Sequence, residues 1–502
     1  MIRVVLASSP IRRRLLAGCV ALGPLLAFLL GAAPASAQAA RPGSHEDAAW
    51  DVMNVLSDEG LHDLKDERWN VYGQVTYISN WKLPFYAPYT DLNGSNKSLS
   101  PGAERSFTAT FTLFFGLHLW HGGQLYLVPE VISERPLSGL SGIGGAIQNF
   151  ELQKTGSETP QLYRSRTYLR QTFGLGGGSV VKDSDPQQLG TVVDRRRLVV
   201  TAGNFSVLDV FDLNSISGDP RENFLNMAFM THASWDFPSD ARGYSWGAVV
   251  GLYWDDWAAR IGRVTPPQEP NQLAIDFRLW KFYGDQLEVE HDHRILGQDG
   301  AVRVLGYRNE VDTGRFADAI AAFEANPAEN AAACTSNGLF NYGSTNASAP
   351  DLCYVRRPNV KVGLGLNLEQ HVTPYSGVFA RAMYSDGQSE VDAFNSADRS
   401  VSAGAVVKGA SWRRPFDVTG VGYGMSWISH VHAQYLAMGG VDGFVGDGTL
   451  RQAGEGVVDA FYSVNFLKAI WLTADYQHLW HPGFNADRGP VEIVSGRVHA
   501  EF

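Results

Sequence analysis

Residues 106–119, which read SFTATFTLFFGLHL, alternate between apolar and polar side chains and decide the fold class. The odd-numbered positions carry Phe, Ala and Leu, and the even-numbered positions carry mainly Ser, Thr and His. A period of two places these sets on opposite faces of a β-strand, so we predict one apolar face and one polar face. The segment is also long enough for the ~9–11 residues that a tilted transmembrane strand needs.

The same alternation begins at Trp69 and continues to the C-terminus, where Phe502 closes an apolar face that starts at Val494. A soluble β-sandwich would show this alternation too. The length of the strands and the tryptophans near their ends favour a membrane barrel instead; these are Trp81, Trp120, Trp254 and Trp471. A last strand that ends in Phe502 resembles the signal that the barrel assembly machinery of outer membranes recognises, so we expect that machinery as a partner.

The first 37 residues have the features of a cleaved signal peptide. Arg3 and the arginines at positions 12–14 form a positive region, and an apolar region follows at residues 15–32. Small residues at positions 35–37 supply the cleavage site, so we expect cleavage after Ala37, export, and a mature chain of about 465 residues. The alternative is a lipoprotein box ending at Cys19, but this box precedes the apolar region instead of following it.

Residues 38–68 are predicted to form a short periplasmic segment before a barrel that occupies residues 69–502. Trp50, Met53, Leu56 and Leu61 recur at roughly helical spacing, which indicates a helix in this segment. We therefore predict an all-β fold, a transmembrane antiparallel β-barrel of about 16 strands, with a short N-terminal periplasmic helical segment. At roughly 25–30 residues for each strand and its connection, the mature length gives about 16 to 18 strands, and barrels of that size enclose an aqueous channel.

The composition agrees with a barrel that has a wet interior. No run of 18 apolar residues follows the signal peptide, which excludes a transmembrane helix and leaves a closed barrel or a soluble exported protein. Glycine is abundant at 53 residues, aromatic residues make up 12% and charged residues 19% of the chain. The net charge of −11 becomes about −15 without the signal arginines and argues against nucleic acid as a partner.

A row of arginines is the first candidate for a pore lining. Arg164, Arg166 and Arg170 share one face of the predicted strand 162–173, with Tyr168 between them. An arginine facing lipid at mid-depth would cost about 2–4 kcal/mol, so we predict that the row faces the lumen, where guanidinium and aromatic groups can bind a sugar. The alternative is a structural ladder in which the arginines pair with carboxylates. Further arginines in strand-like runs are Arg197, Arg260 and Arg381.

Residues 203–226 are the candidate for a loop that folds into the lumen. They follow a strand, contain turn-forming pairs, and carry Asp209 and Asp212, which we expect to contribute to selectivity. The alternative is an ordinary external loop.

Other polar clusters point to weaker hypotheses. Glu288, Glu290 and Asp292 share a strand face and are predicted to line the lumen, although paired carboxylates also suit a glycosidase. The chain has no nucleophile elbow, P-loop or zinc-protease motif, so we expect neither an enzyme nor a cofactor. Two histidine pairs have the spacing of neighbours on one strand face, but no third metal ligand is identifiable; they are His291/His293 and His430/His432.

Cys334 and Cys353 remain after export and lie in a stretch rich in Asn, Ala, Ser and Gly. In an oxidising compartment this pair predicts a loop disulfide, and a metal pair is the alternative.

Several longer strings carry a family resemblance: 168–174 (YLRQTFG), 203–212 (GNFSVLDVFD), 242–247 (RGYSWG), 365–370 (GLNLEQ) and 497–502 (RVHAEF). Together they resemble the carbohydrate-selective porins of the OprB type. The resemblance implies a 16-stranded outer-membrane barrel with a constriction lined by arginines and carboxylates, passive diffusion of monosaccharides, and a homotrimer in the lipid bilayer. Some relatives resemble manganese-uptake porins, which leaves a divalent cation as the alternative solute. The stretch 317–357 is longer than the family pattern.

Overall fold

The computed structural model describes residues 51–152, 154, 156–332 and 348–502. The predicted signal peptide at residues 1–37, Trp50 of the predicted N-terminal helix and the cysteine Cys334 lie outside the described residues. Cys353 is disulfide-bonded, but its pairing with Cys334 stays a prediction. Among the helices of the described residues, none is long and apolar enough to cross a membrane.

Sixteen antiparallel strands close into one barrel, and two further strands, Ser179–Lys182 and Thr191–Asp194, pair as a small separate hairpin. The strands are β1 (Trp69–Lys82), β2 (Glu104–Trp120), β3 (Gly123–Arg135), β4 (Gln161–Gly174), β5 (Ser179–Lys182), β6 (Thr191–Asp194), β7 (Arg197–Phe205), β8 (Ser245–Trp254), β9 (Trp257–Val264), β10 (Tyr283–Ile295), β11 (Gln298–Thr313), β12 (Arg357–Thr373), β13 (Ser376–Ser385), β14 (Arg399–Gly409), β15 (Arg414–Trp427), β16 (Glu455–Phe466), β17 (Ile470–Trp480) and β18 (Val491–Glu501). The helices are α1 (Val52–Asp58), α2 (Met227–Met230), α3 (Phe316–Ala325), α4 (Pro327–Ala332) and α5 (His430–Ala437).

The first and last barrel strands pair with each other, which closes the sheet without a free edge. Gln74 of β1 is in register with Glu501 of β18, and Lys82 is in register with Ile493. The all-β, 16-stranded barrel predicted from the alternation is therefore confirmed, and the β-sandwich alternative is excluded.

The two ends of the barrel differ in the length of their connections. At one end, here called the turn end, residues 121–122, 255–256 and 296–297 join neighbouring strands directly. At the other end, here called the loop end, the connections are long; they include residues 136–160, 206–244, 314–356 and 428–454. In outer-membrane barrels the short turns face the periplasm and the long loops face outward.

The two faces of β2 show how the alternation is used. Phe111 and Leu117 are 37% and 44% exposed on the outside, whereas Thr110 and Thr112 are 4% and 1% exposed on the lumen side. The apolar face therefore points outward and the polar face points inward, as predicted.

Helix α1 lies against the lumen face of the barrel wall. Asp51 caps the helix by accepting a hydrogen bond of 2.7 Å from the Met53 N–H. Met53 is fully buried among Tyr72, Phe114 and Val128, which belong to β1, β2 and β3. The predicted N-terminal helix is thus present, although it ends before Leu61.

Two loop-end helices, α3 and α5, are joined through His432. Its ring stacks on Phe316 at 4.1 Å between centroids, and its nitrogens lie 3.0 Å from Asp398 and 3.2 Å from Asp442. His430 and His432 lie on a helix, not on a strand, so their spacing of two puts His432 inside and His430 outside. Burial lowers the pKa of His432, but the two carboxylates outweigh it and raise the pKa to about 9.

This contact should make the packing of the loop helices pH-dependent. Because the pKa of His432 is raised from 6.5 to about 9, its stabilising effect is fully present below pH 6.5 and is lost as the pH rises through about 9. Hydrogen-exchange protection of α3 and α5 is expected to fall in that window, and to be low throughout in His432→Gln. His430→Asn is the matched control on the same helix. A protection that does not change with pH in the unmodified chain would contradict the prediction.

Candidate functional site

Residues 206–230, here called the inserted segment, leave the barrel wall after β7 and run inside the lumen. Two arginines of the wall hold the segment through its backbone. Arg497 of β18 donates to the carbonyl oxygens of Pro220, Glu222 and Asn223 at 2.7 to 2.9 Å. Arg381 of β13 donates to the Phe229 carbonyl at 2.7 Å. The predicted segment thus lies inside the barrel and is not an external loop.

Glycines in β15 make room for the apolar side of the inserted segment. A Cβ at Gly422 would lie 2.7 Å from the Phe229 ring, and a Cβ at Gly420 would lie 3.1 Å from the Phe224 ring. Phe224 also packs on the wall residue Phe461, with ring centroids 5.1 Å apart. The alternate glycines of this strand therefore provide a groove in the lumen wall into which the segment's rings fit.

Opposite this anchored side, the inserted segment borders a cavity of about 620 Å³. Its other walls are formed by residues of β1 to β4, by residues that follow β3 and β4 or precede β8, and by residues of β11 to β15. The charged and aromatic residues that line the cavity include Glu130, Lys154, Arg166, Asp209, Arg221, Arg242 and Tyr244. This constricted part of the lumen is the candidate site.

Arg166 of β4 and Asp209 of the inserted segment form an ion pair at the edge of the cavity. The guanidinium donates two hydrogen bonds of 2.7 Å, one to each carboxylate oxygen of Asp209. Its carbon lies 5.1 Å from the centre of the Tyr244 ring. Asp209 also accepts from the Ser206 N–H at 3.0 Å, which fixes the start of the inserted segment. Both charged side chains keep part of their surface toward the cavity, at 16% and 20% exposure.

A second charged group surrounds Glu130 of β3. Lys154 donates to Glu130 at 3.3 Å, and the Tyr163 hydroxyl donates to it as well. Arg221 of the inserted segment donates to Glu151 at 2.9 Å and lies 4.0 Å from Glu130. Burial lowers the pKa of Lys154, but Glu130 outweighs it, so the pKa lies above its usual range. Positive and negative groups therefore balance each other around the cavity.

A turn in the connection before β8 forms the third side of the site. The Asp240 carboxylate accepts from the N–H groups of Arg242 and Tyr244 at 2.9 and 3.0 Å. Burial raises the pKa of Asp240 to about 6, although these two N–H groups lower it. The turn brings the Arg242 guanidinium to 4.3 Å from the Tyr163 ring centre.

The structure places Arg164 outside the predicted row. β3 and β4 change register between Val128 and Pro129, where Arg166 pairs with Val128 and Arg164 pairs with Pro129. The bulge turns Ser165 inward and puts Arg164 on the outer face, where it lies 5.0 Å from the Trp246 ring centre. The expectation that Arg164 shares the lumen face is wrong, because the alternation is interrupted by one residue.

The remaining predicted residues of β4 and β7 lie nearer the turn end. Tyr168 is buried against Tyr126, with ring centroids 5.2 Å apart. Arg170 lies 5.0 Å from the same Tyr126 ring and donates to the Gln187 carbonyl at 3.0 Å. Arg197 lies 4.3 Å from the Tyr253 ring and donates to backbone carbonyls that precede it.

Asp212 and Arg260 are buried in ion pairs. Asp212 accepts from Arg381 at 3.2 Å and from Thr231 at 2.7 Å. Arg260 donates to Glu288 at 2.9 Å and to Glu290 at 3.0 Å. These contacts correspond to the alternative of a structural ladder.

The ladder continues around the wall, because Arg303 of β11 donates to Glu290 at 2.6 Å and to Glu369 of β12 at 3.1 Å. Arg303 and Glu369 also line the cavity.

His291 and His293 lie on the opposite, outer face of β10, and His291 stacks on Trp257 at 4.3 Å. The described part of the chain contains no group of three or more His, Cys, Asp or Glu residues that could hold a metal ion.

Several charged and aromatic cavity residues were not identified as site residues from the sequence; they include Glu130, Lys154, Arg221, Arg242, Tyr244, Arg303 and Glu369. Arg242 lies in the string 242–247, which was recognised only as a family match. A basic residue beside a glycine and an aromatic residue is a weak signal on its own. Lys154 has no signal at all, because its role depends on its distance from Glu130.

Comparison with known proteins supports the fold and the family. A family model described as "Carbohydrate-selective porin, OprB family" matches residues 98–502. The high-pH structure of Pseudomonas putida OprB is 15% identical, with a TM-score of 0.62, over 89% of this chain and 96% of that chain. The outer membrane channel DcaP of Acinetobacter baumannii is 11% identical, with a TM-score of 0.47, over 88% of this chain and 100% of that one. No curated protein sequence matches the chain.

Proposed function

The chain belongs to the carbohydrate-selective porin family, OprB, and from this premise we propose that it lets monosaccharides diffuse passively through the outer membrane. As an outer-membrane porin, the barrel passes small solutes. Among small solutes, the side chains of the constriction favour a sugar. The energy for passage comes from the concentration gradient alone.

One observation carries the proposal: four cationic groups at the cavity each stand beside a carboxylate or a carbonyl, and beside an aromatic ring; they are Lys154, Arg166, Arg221 and Arg242. Arg166 pairs with Asp209 and stacks on Tyr244, and Arg242 donates to a carbonyl and stacks on Tyr163. Paired donors and acceptors suit hydroxyl groups, which are both, and a ring face suits the apolar face of a sugar. An ion in the cavity would be attracted by groups of one charge and repelled by neighbouring groups of the other, so a neutral polar solute fits this site better.

The wall carboxylates support a channel and not an enzyme. Glu288 and Glu290 both accept hydrogen bonds from Arg260, and Glu288 also accepts from the Asp212 N–H at 2.7 Å. A glycosidase needs one carboxylic acid and one free carboxylate on either side of a substrate. Since the two groups are bound to arginine, we infer that they hold the wall together.

The route to the membrane is also part of the proposal. We infer that residues 1–37 are removed on export and that residues 38–68 form a segment on the periplasmic side before a barrel of residues 69–502, with helix α1 of this segment packed against the lumen face. Phe502 follows β18, and its ring lies 6.3 Å from Phe111 on the outer face. This half-buried terminal ring is the feature we expect the assembly machinery to bind, and a homotrimer is the expected final state.

Single-channel conductance in planar bilayers tests the function. Glucose added at millimolar concentration is expected to reduce the ion current in a saturable manner, because the sugar occupies the constriction. A polyethylene glycol of similar size is the control for a merely steric effect and should give no saturation. An unchanged current with glucose would defeat the sugar proposal. A shift of the reversal potential in MnCl₂ toward high Mn²⁺ selectivity would favour the divalent-cation alternative.

A further inference from the structure

The bulge in β4 creates an outward-facing cation that the sugar proposal does not use. Arg164 is exposed on the outer wall and lies 5.0 Å from the Trp246 ring. Among the residues that the structure describes, no carboxylate forms a salt bridge with Arg164. An arginine held against an aromatic ring keeps its five N–H donors available for an anionic ligand.

Arg164 lies beside a group of exposed aromatic and basic residues at the loop end. The Trp246 ring contacts Phe277 at 6.2 Å between centroids, and Phe277 belongs to the connection between β9 and β10. In the same connection Phe277 and Trp280 are 61% and 80% exposed, and Lys281 is exposed beside them. Arg164, Trp246, Phe277, Trp280 and Lys281 are here called the rim patch.

The rim patch lies just beyond the apolar band of the wall. On β9 and β10 the outward residues Ile261 and Leu287 are paired in register and are 59% and 52% exposed. The next outward pair toward the loop end is Arg263 with Asp285, and Arg263 lies 3.7 Å from the Tyr283 ring. This change from apolar pairs to charged and aromatic pairs marks the level of the lipid headgroups.

We propose that the rim patch binds the phosphate groups of a phosphorylated lipid in the outer leaflet. Exposed Phe277 and Trp280 enter the boundary between acyl chains and headgroups, where aromatic side chains concentrate in membrane proteins. Arg164 and Lys281 then meet the negative phosphates, and a guanidinium can bind a phosphate through two parallel hydrogen bonds. The occupant follows from this complementarity of charge and from the position at the loop end.

The turn end provides a matched contrast. Arg196 also faces outward and lies 4.7 Å from the Trp254 ring, but it donates to Asp255 at 2.7 Å. Its charge is therefore neutralised within the chain. Arg164 and Arg196 each stack on a tryptophan but differ in whether a carboxylate is bound to them, so they form a natural pair of test and control.

Native mass spectrometry of the purified barrel in a nonionic detergent tests the proposal with two probes. The first probe is lipid A with two phosphates, and the second is the same lipid after both phosphates are removed. Arg164→Gln is expected to weaken binding of the phosphorylated probe about fivefold, and the double variant with Lys281→Gln more than tenfold. Arg196→Gln should bind as the unmodified chain does. Arg164→Lys keeps the charge and should retain most of the affinity.

Three results would overturn the proposal. Equal binding of both probes would show that only the apolar contacts matter. An equal loss in Arg196→Gln would show a general effect of surface charge. A change in oligomeric mass in Arg164→Gln without lipid would show that a second copy of the chain covers the patch. Heat-induced mobility shift on gels confirms that each variant is folded, and conductance with glucose stays unchanged in Arg164→Gln, so this test is separate from that of the sugar proposal.

Discussion

Replacing Arg497 with methionine is expected to loosen the inserted segment, raise the single-channel conductance, and lower the free energy of unfolding by about 3–5 kcal/mol. Arg497 is fully buried and donates to three carbonyls of the segment and to the Thr473 hydroxyl at 3.0 Å. Methionine fills part of the volume but leaves these buried acceptors without donors, and such groups are costly in a site closed to water.

Two measurements should show the effect of losing the Arg497 contacts. The temperature at which the folded barrel loses its compact mobility on gels should fall, and the conductance should rise and become noisy, because residues 206–230 no longer narrow the lumen. Arg399→Met is the matched control, since Arg399 is an exposed arginine over the Tyr384 ring and touches no part of the segment. A destabilised barrel with unchanged conductance would mean that the phenylalanine contacts with β15 hold the segment without Arg497.

The architecture was predictable because one local rule, the period of two, holds along the barrel strands with few interruptions. In β2 the same reading gives the strand, its apolar outer face and its polar lumen face, all of which the structure confirms. The rule needs no information about distant residues. The number of strands follows approximately from the chain length, which is divided by the usual number of residues in one strand and its connection.

Arg164 shows where the rule stops. Counting by two from Arg166 and Arg170 puts Arg164 in the lumen, but the count is broken by the bulge opposite Pro129. A proline inside a strand cannot donate to the ladder and often marks such a bulge. The signal was therefore present in β3, one strand away from the arginine whose orientation it changes.

The charge pairs were not predictable, because each joins parts of the chain that only closure of the barrel brings together. Arg166 and Asp209 belong to β4 and the inserted segment, and Glu130 meets Lys154 and Arg221 from two different connections. Many other carboxylates could have served as partners equally well. The sequence offers the charges, and the three-dimensional path of the loops selects the pairs.

The lumen arginines divide into three sets by what they touch. Arg381 and Arg497 hold the inserted segment, and Arg260 and Arg303 join neighbouring wall strands through glutamates. Arg166, Arg221 and Arg242 line the cavity. Arg303 borders the cavity too, so substitutions there and in the third set should change selectivity. Substitutions of Arg260, Arg381 and Arg497 should mainly change stability.

Replacing Arg166 with methionine is therefore expected to weaken the block by glucose roughly tenfold, because the site loses a charged donor worth about 1.5–3 kcal/mol in a hydrogen bond. The change also leaves the Asp209 carboxylate without its bidentate partner, so the channel should become more cation-selective. Glucose titration of the current and the reversal potential in a KCl gradient measure the two effects separately.

The double variant Arg166→Met/Asp209→Asn distinguishes the two causes. Removing both charges should restore the original ion selectivity, because the net charge of the pair is zero in both cases. It should not restore the affinity for glucose, because the guanidinium donor is still missing. Arg170→Met is the control on the same strand and the same face, since Arg170 stacks on Tyr126 nearer the turn end and does not line the cavity. If Arg170→Met weakens the glucose block as strongly as Arg166→Met does, the binding site for the sugar lies nearer the turn end than the constriction, and the pairing of Arg166 with Asp209 serves only to position the inserted segment.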